Sequence, residues 1–171
     1  DTGALPVMTG ATEVASLPTG EYPLVIRTYL GTKMGIGTSL GFRVAEIDAG
    51  GGLAYGPLIE ADGPVFDMVG RDRFIYYTDP AQGNSGLVRV DLSTLNPSGR
   101  YAYATDLKLV GHRTMQAVAN IGRTNRIAFS DSQDGIFFEN ETDLVTSGYL
   151  LLAQTRYNTL WPKLFKRLSV R

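Results

Sequence analysis

The chain of 171 residues has no cysteine, one histidine and one tryptophan. Without cysteine there can be no disulfide, no thiol nucleophile and no zinc site built on thiolates. With a single histidine, a Ser-His-Asp triad or a histidine-ligated metal would have to use His112. That residue sits in Val110-Gly111-His112-Arg113, which reads as a loop, and no nucleophile elbow adjoins it. No run approaches the roughly 18 apolar residues that a membrane-spanning helix requires. Net charge is −1, so no global field draws the chain to nucleic acid. No catalytic, cofactor-binding or metal-binding set emerges.

Glycine and aromatics are plentiful, with 20 Gly, 9 Tyr and 7 Phe. Frequent glycine beside many aromatics favours strands joined by tight turns. Residues 1–22 are rich in Thr, Gly, Ala and Pro, carry neither helical nor strand period, and read as a linker or an incomplete first element. Beyond them, short apolar runs alternate with turn signals every 8–12 residues, the spacing of many short strands. The best helical candidate, Arg113 to Asn120, is short and lies where a repeat predicts a strand.

That repeat has three units. Each places an apolar strand before a Gly and a basic residue, then a second strand ending in small hydroxyl or acidic residues. Leu24-Val25-Ile26 leads through Gly31-Thr32-Lys33 to Met34–Ser39. Val65–Val69 leads through Gly70-Arg71-Asp72-Arg73 to Phe74–Asp79. Gln116–Ala119 leads through Gly122–Arg126 to Ile127–Asp131. The basic anchors Lys33, Arg73 and Arg126 are 40 and 53 residues apart. A third strand follows in each (Phe42–Ile47, Leu87–Leu92, Ile136–Glu139), then a fourth (Leu53–Ile59, Tyr101–Leu107, Tyr149–Ala153). The sequence thus predicts an all-β chain of about three four-stranded antiparallel blades of a β-propeller-like array, over 23–60, 61–109 and 110–153. A β-sandwich is the alternative. Four strands in roughly 40–50 residues is the size of one blade. Three such blades alone would leave two apolar end faces open, so the units are expected to belong to a larger propeller or an assembly.

Residues 154–171 form a basic-aromatic arm. Five basic residues (Arg156, Lys163, Lys166, Arg167, Arg171) lie there with no acidic one, leaving 11 basic against 17 acidic side chains elsewhere, a net of −6. Tyr157, Leu160, Trp161, Lys163, Phe165, Lys166 and Arg167 are the partner-binding candidates: aromatics anchor an interface, and basic residues steer toward an acidic surface. Five charges without a wider basic face make a weak nucleic-acid footprint. Tyr101 and Tyr103 share one face of a strand by alternation and are candidates for glycan contact, with packing between units as the other reading. Asp67, Asp79, Asp106 and Asp131 could meet at blade edges, as a glycosidase pair would. Asp131-Ser132-Gln133-Asp134-Gly135 is too short for an EF-hand and reads as a turn.

The end of the chain, from Gly148 through Arg156, Tyr157, Thr159, Leu160, Pro162, Lys163, Phe165, Lys166, Leu168 and Val170 to Arg171, resembles a stretch in the large tail proteins of bacteriophages that infect actinobacteria. Trp161 departs from it, standing where an acidic or polar residue is expected. The match spans about a seventh of the chain. In such proteins the segment follows a final propeller strand and leads into further β-domains of the tail tip. The resemblance implies a virion structural protein, not an enzyme, with a role in tail-tip assembly or host adsorption. Its expected partners are other tail proteins or further domains of the same protein, and a host surface glycan. A carbohydrate-binding propeller module is the alternative, and a glycan-degrading enzyme a more remote one.

Overall fold

A computed structural model of the chain describes residues 10–80, 85–109, 114–133, 135–140 and 142. Among them are twelve strands and no helix. They form three antiparallel sheets in chain order. The first holds β1 (Pro23–Tyr29), β2 (Lys33–Thr38), β3 (Gly41–Ile47), β4 (Leu53–Tyr55) and β5 (Ile59–Glu60). The second holds β6 (Met68–Arg71), β7 (Phe74–Asp79), β8 (Gly86–Leu95) and β9 (Tyr101–Lys108), and the third holds β10 (Met115–Ile121), β11 (Arg126–Asp131) and β12 (Ile136–Phe138). Each sheet is a meander in which consecutive strands pair, except that β5 returns to pair with β3 and not with β4. The expected strand Tyr149–Ala153 and the arm 154–171 lie outside the described residues, as does His112.

Two expectations change in detail. The single fourth strand over Leu53–Ile59 is divided: β4 pairs with Ala45–Ile47 and β5 with Gly41–Phe42. Pro57 lies in the gap, and with no N–H it cannot extend a ladder. The basic anchors also fall out of step. The hairpin loops between first and second strands hold three, two and four residues, so the first paired residues of the second strands are Lys33 opposite Tyr29, Phe74 opposite Arg71, and Arg126 opposite Ile121. Arg73 therefore lies in its turn, one place before its sheet's equivalent of Lys33 and Arg126. The difference matters, because a one-residue slip exchanges the two faces of a strand.

That register matches positions across the three sheets strand by strand. The second sheet buries both faces. Met68, Ile75, Tyr77, Val88 and Val90 join Phe42, Val44 and Ile59 in one core. Tyr76 and Leu87 join Met115, Val118 and Ile127 in another. The rings of Phe42 and Tyr77 stack at 4.8 Å, with 12° between their planes. Gly35 and Gly37 open the first sheet to this contact: a β-carbon on Gly35 would stand 2.5 Å from Met68 Sδ, and one on Gly37 2.7 Å from the Val65 carbonyl.

Residues 10–22 hold no strand, yet they are fastened to the first sheet. Glu21 and Arg43 form a buried ion pair through two contacts of 2.8 and 2.6 Å. Tyr55 donates its hydroxyl to the Ser16 carbonyl at 2.8 Å, and Arg43 also donates to the Gly56 carbonyl. A buried charge survives only with such a partner.

Candidate functional site

The first strands of the three sheets, β1, β6 and β10, run beside one another. Asp67, just before β6, ties them together. Its Oδ1 accepts from Arg27 Nη2 of the first sheet at 2.8 Å and from the Met68 N–H at 2.9 Å. Its Oδ2 accepts from the Val118 N–H of the third sheet at 2.9 Å. One carboxylate thus serves three sheets, and as an ionised acceptor it forms bonds stronger than neutral ones.

Above this junction each sheet reaches for the next. Tyr29, the last residue of β1, donates its hydroxyl to the Asp72 carbonyl at 2.6 Å. Arg71, the last residue of β6, donates to the Asn125 carbonyl at 3.2 Å. Arg71 also pairs with Glu139, bonds the Tyr76 hydroxyl at 2.6 Å and lies over its ring. Lys33 is held between Glu46 and the Tyr101 hydroxyl, which raise its pKa.

A cavity of about 400 Å³ opens where the first strands meet. Arg27, Thr28 and Tyr29 line it from the first sheet, Met68, Val69, Gly70 and Ile75 from the second, and Val118, Ala119 and Asn120 from the third. The Tyr29 ring lies against Gly70, where any β-carbon would overlap it.

The outer face of the third sheet is apolar and exposed. Ile136 pairs with Ser130 as Phe42 pairs with Gly37 and Leu87 with Thr78, so the three occupy one position in their sheets. Phe42 is 0% exposed, Leu87 5% and Ile136 74%. Phe138, the counterpart of Val44, is likewise exposed, as are Ala117 and Ala119 beside them. β12 has one strand partner among the described residues.

The structure separates the two glycan candidates. Tyr101 is half-buried against the first core, its hydroxyl accepting from Lys33 Nζ at 2.8 Å, with the ammonium 5.3 Å from its ring centre. Tyr103 is exposed. Of the four aspartates, Asp67 holds the junction and Asp106 pairs with Arg89 at 3.1 Å. Burial raises the pKa of Asp106, Arg89 and Arg71 opposing the shift and Glu139 adding to it. Among the described residues no three His, Asp or Glu side chains are grouped to hold a metal. Tyr157, Leu160, Trp161, Lys163, Phe165, Lys166 and Arg167 all lie outside the described residues.

Sequence reading passed over a Gly-x-Ser-x-Gly pattern at Gly37-Thr38-Ser39-Leu40-Gly41. It is the tight connection between two antiparallel strands, β2 and β3, not a strand-to-helix elbow. Ser39 Oγ accepts from the Tyr22 N–H at 3.3 Å, a structural bond. Reading also missed Tyr29 and Asn120 as junction residues. Their only signal is position, at or near the end of a first strand, which becomes visible once the register is known.

No family model, no curated protein and no solved structure matches the chain.

Proposed function

We propose that the chain is a structural module of a phage tail tip, built as about three consecutive blades of a propeller-like array and acting through contact with neighbouring protein. The blade reading draws support from three meander sheets in chain order, with the middle one packed on both faces and the first strands gathered side by side. A sandwich would pair two sheets and leave both outer faces to solvent. The exposure of Ile136, at a position buried in both other sheets, carries the interaction reading. An open face so apolar marks a contact surface. The tail assignment itself rests on the resemblance of residues 148–171. It requires no catalytic centre.

Antibodies raised against residues 10–140, applied to phage particles that encode the chain, test this reading. Labelling at the tail tip is expected. Particles that lack the chain, or carry it elsewhere, contradict the assignment.

A further inference from the structure

The first and third sheets are open at matching positions. Ile26, Met68 and Val118 occupy one place in their sheets, three residues before the end of each first strand and opposite Ile36, Tyr77 and Phe129. Met68 packs toward the first sheet and Val118 toward the second, and they are 1% and 5% exposed. Val25 and Tyr29 pack toward the second sheet, so by alternation Ile26 faces away from it, and it is 53% exposed. Residues 10–22 cover the first sheet around Arg43 and leave this residue open. The third sheet is open on its other face, with Ile136 exposed where Phe42 and Leu87 are buried. Among the described residues, the first sheet lacks a neighbour before it and the third lacks a neighbour after it. We propose that each supplies what the other lacks: the open face of the third sheet docks on the β1 side of the first sheet of a second copy of this chain. This rests on the reading of that open face as a contact surface, and it adds what covers it.

The hairpins identify the occupant. Each hairpin between first and second strands holds one non-glycine residue of positive φ: Leu30, Asp72 and Asn125. Within the chain, the last residue of a first strand reaches such a residue on the next sheet. Tyr29 donates to the Asp72 carbonyl and Arg71 to the Asn125 carbonyl. Ile121 ends the first strand of the third sheet, and the same step carries it to Leu30 of the second copy. The end residue without a donor therefore meets the apolar hairpin residue. Leucine is poorly suited to a φ of +50°, and its side chain is exposed, so nothing local accounts for it there. Ala119 stands where Val69 packs on the core that holds Val118, so Ile26 of the second copy meets a small, exposed residue. The contact is head-to-tail, continuing the junctions inside the chain, and burial of apolar surface drives it.

Sedimentation velocity on two variants of the full chain, and on their mixture, tests this. Ile26→Glu spoils the first face and leaves the third, while Ile136→Glu does the reverse. Both positions are exposed, so each variant should melt as the wild type does. The wild type should self-associate. Each variant alone should do so at least about tenfold more weakly, because an unpaired carboxylate is costly to bury. Their equimolar mixture should form a one-to-one heterodimer through the two intact faces. Leu30→Asn, which suits positive φ, should keep or raise the melting temperature and still weaken association. An Ile26→Glu chain that associates as strongly as the wild type overturns the proposal and assigns the contact to third sheets pairing with each other. A mixture no more associated than its components overturns it too. So does a wild type that stays monomeric while binding a hydrophobic dye. In that last case the third sheet still offers a contact surface, but to a different protein.

Discussion

The hydroxyl of Tyr29 donates to the main-chain carbonyl of Asp72, 2.6 Å away on the neighbouring sheet. One sheet further on, Arg71 makes the same connection to Asn125. Tyr29 and Arg71 are equivalent, each the last residue of a first strand. Asp72 and Asn125 are both hairpin residues with positive φ, +54° and +53°, although Asp72 opens its two-residue loop and Asn125 closes its four-residue loop. Asp and Asn tolerate that conformation better than most residues. The third sheet has Ile121 at the donor position, which has no side-chain donor to offer. Among the described residues the polar connections end there, and whatever covers the outer face of the third sheet meets an apolar surface.

Removing the Tyr29 hydroxyl tests the first connection. Tyr29→Phe keeps the ring against Gly70 and deletes one hydrogen bond. Urea denaturation should register a loss of about 1 kcal/mol. No change would mean that water replaces the bond without cost.

Gly70 is needed for space, not for backbone freedom. In a strand interior, Gly→Ala ordinarily stabilises or is neutral. Here the new methyl would enter the Tyr29 ring, so Gly70→Ala should destabilise by about 1–3 kcal/mol, the cost of overpacking. Gly122→Ala, where a β-carbon meets nothing within 4 Å, is the control and should change the denaturation midpoint little.

Stability should depend on acid through Glu21. Its hydrogen bonds to Arg43 hold the carboxyl below its ordinary value near 4.5. A carboxyl depressed in the folded state stabilises fully above its unfolded pKa, and that contribution is lost as pH falls through the folded one. Thermal midpoints should therefore drop as pH is lowered from about 5 toward 3. Asp106 opposes the trend, since burial raises its pKa. Glu21→Gln should lower stability at neutral pH by about 3 kcal/mol, because Arg43 stays buried without its counter-charge, and should flatten the acid dependence. An unchanged acid profile in Glu21→Gln would assign the effect to other carboxylates.

The fold was legible where it depends on local pattern. Alternating apolar residues and turn chemistry located ten of the twelve described strands to within a few residues and read β4 and β5 as one, and the break at Pro57 that divides those two is itself a local signal. The facing of the sheets was not legible, because it depends on hairpin loops of three, two and four residues. The basic anchor at Arg73 pointed to a register one residue off, and such an error inverts which side chains are buried. The junction was hidden for a related reason. Asp67 meets Arg27 and the Val118 N–H across 40 and 51 residues of sequence, and no spacing rule connects them. Tyr101 illustrates the same limit: alternation placed it on a face with Tyr103, but only the packing of the first sheet decides that Lys33 covers one and leaves the other exposed.

The open face of the third sheet bears most directly on how the chain works. Sedimentation velocity over a range of concentrations, on the wild type and on a double variant carrying Ile136→Glu and Phe138→Glu, measures whether that face seeks a partner. Both positions are exposed, so each change should alter stability by no more than about 0.5 kcal/mol. The account predicts that the wild type associates as concentration rises and that the double variant remains a monomer of unchanged stability. A wild-type chain that is monomeric throughout and binds no hydrophobic dye would mean that the face needs no cover, and would contradict it.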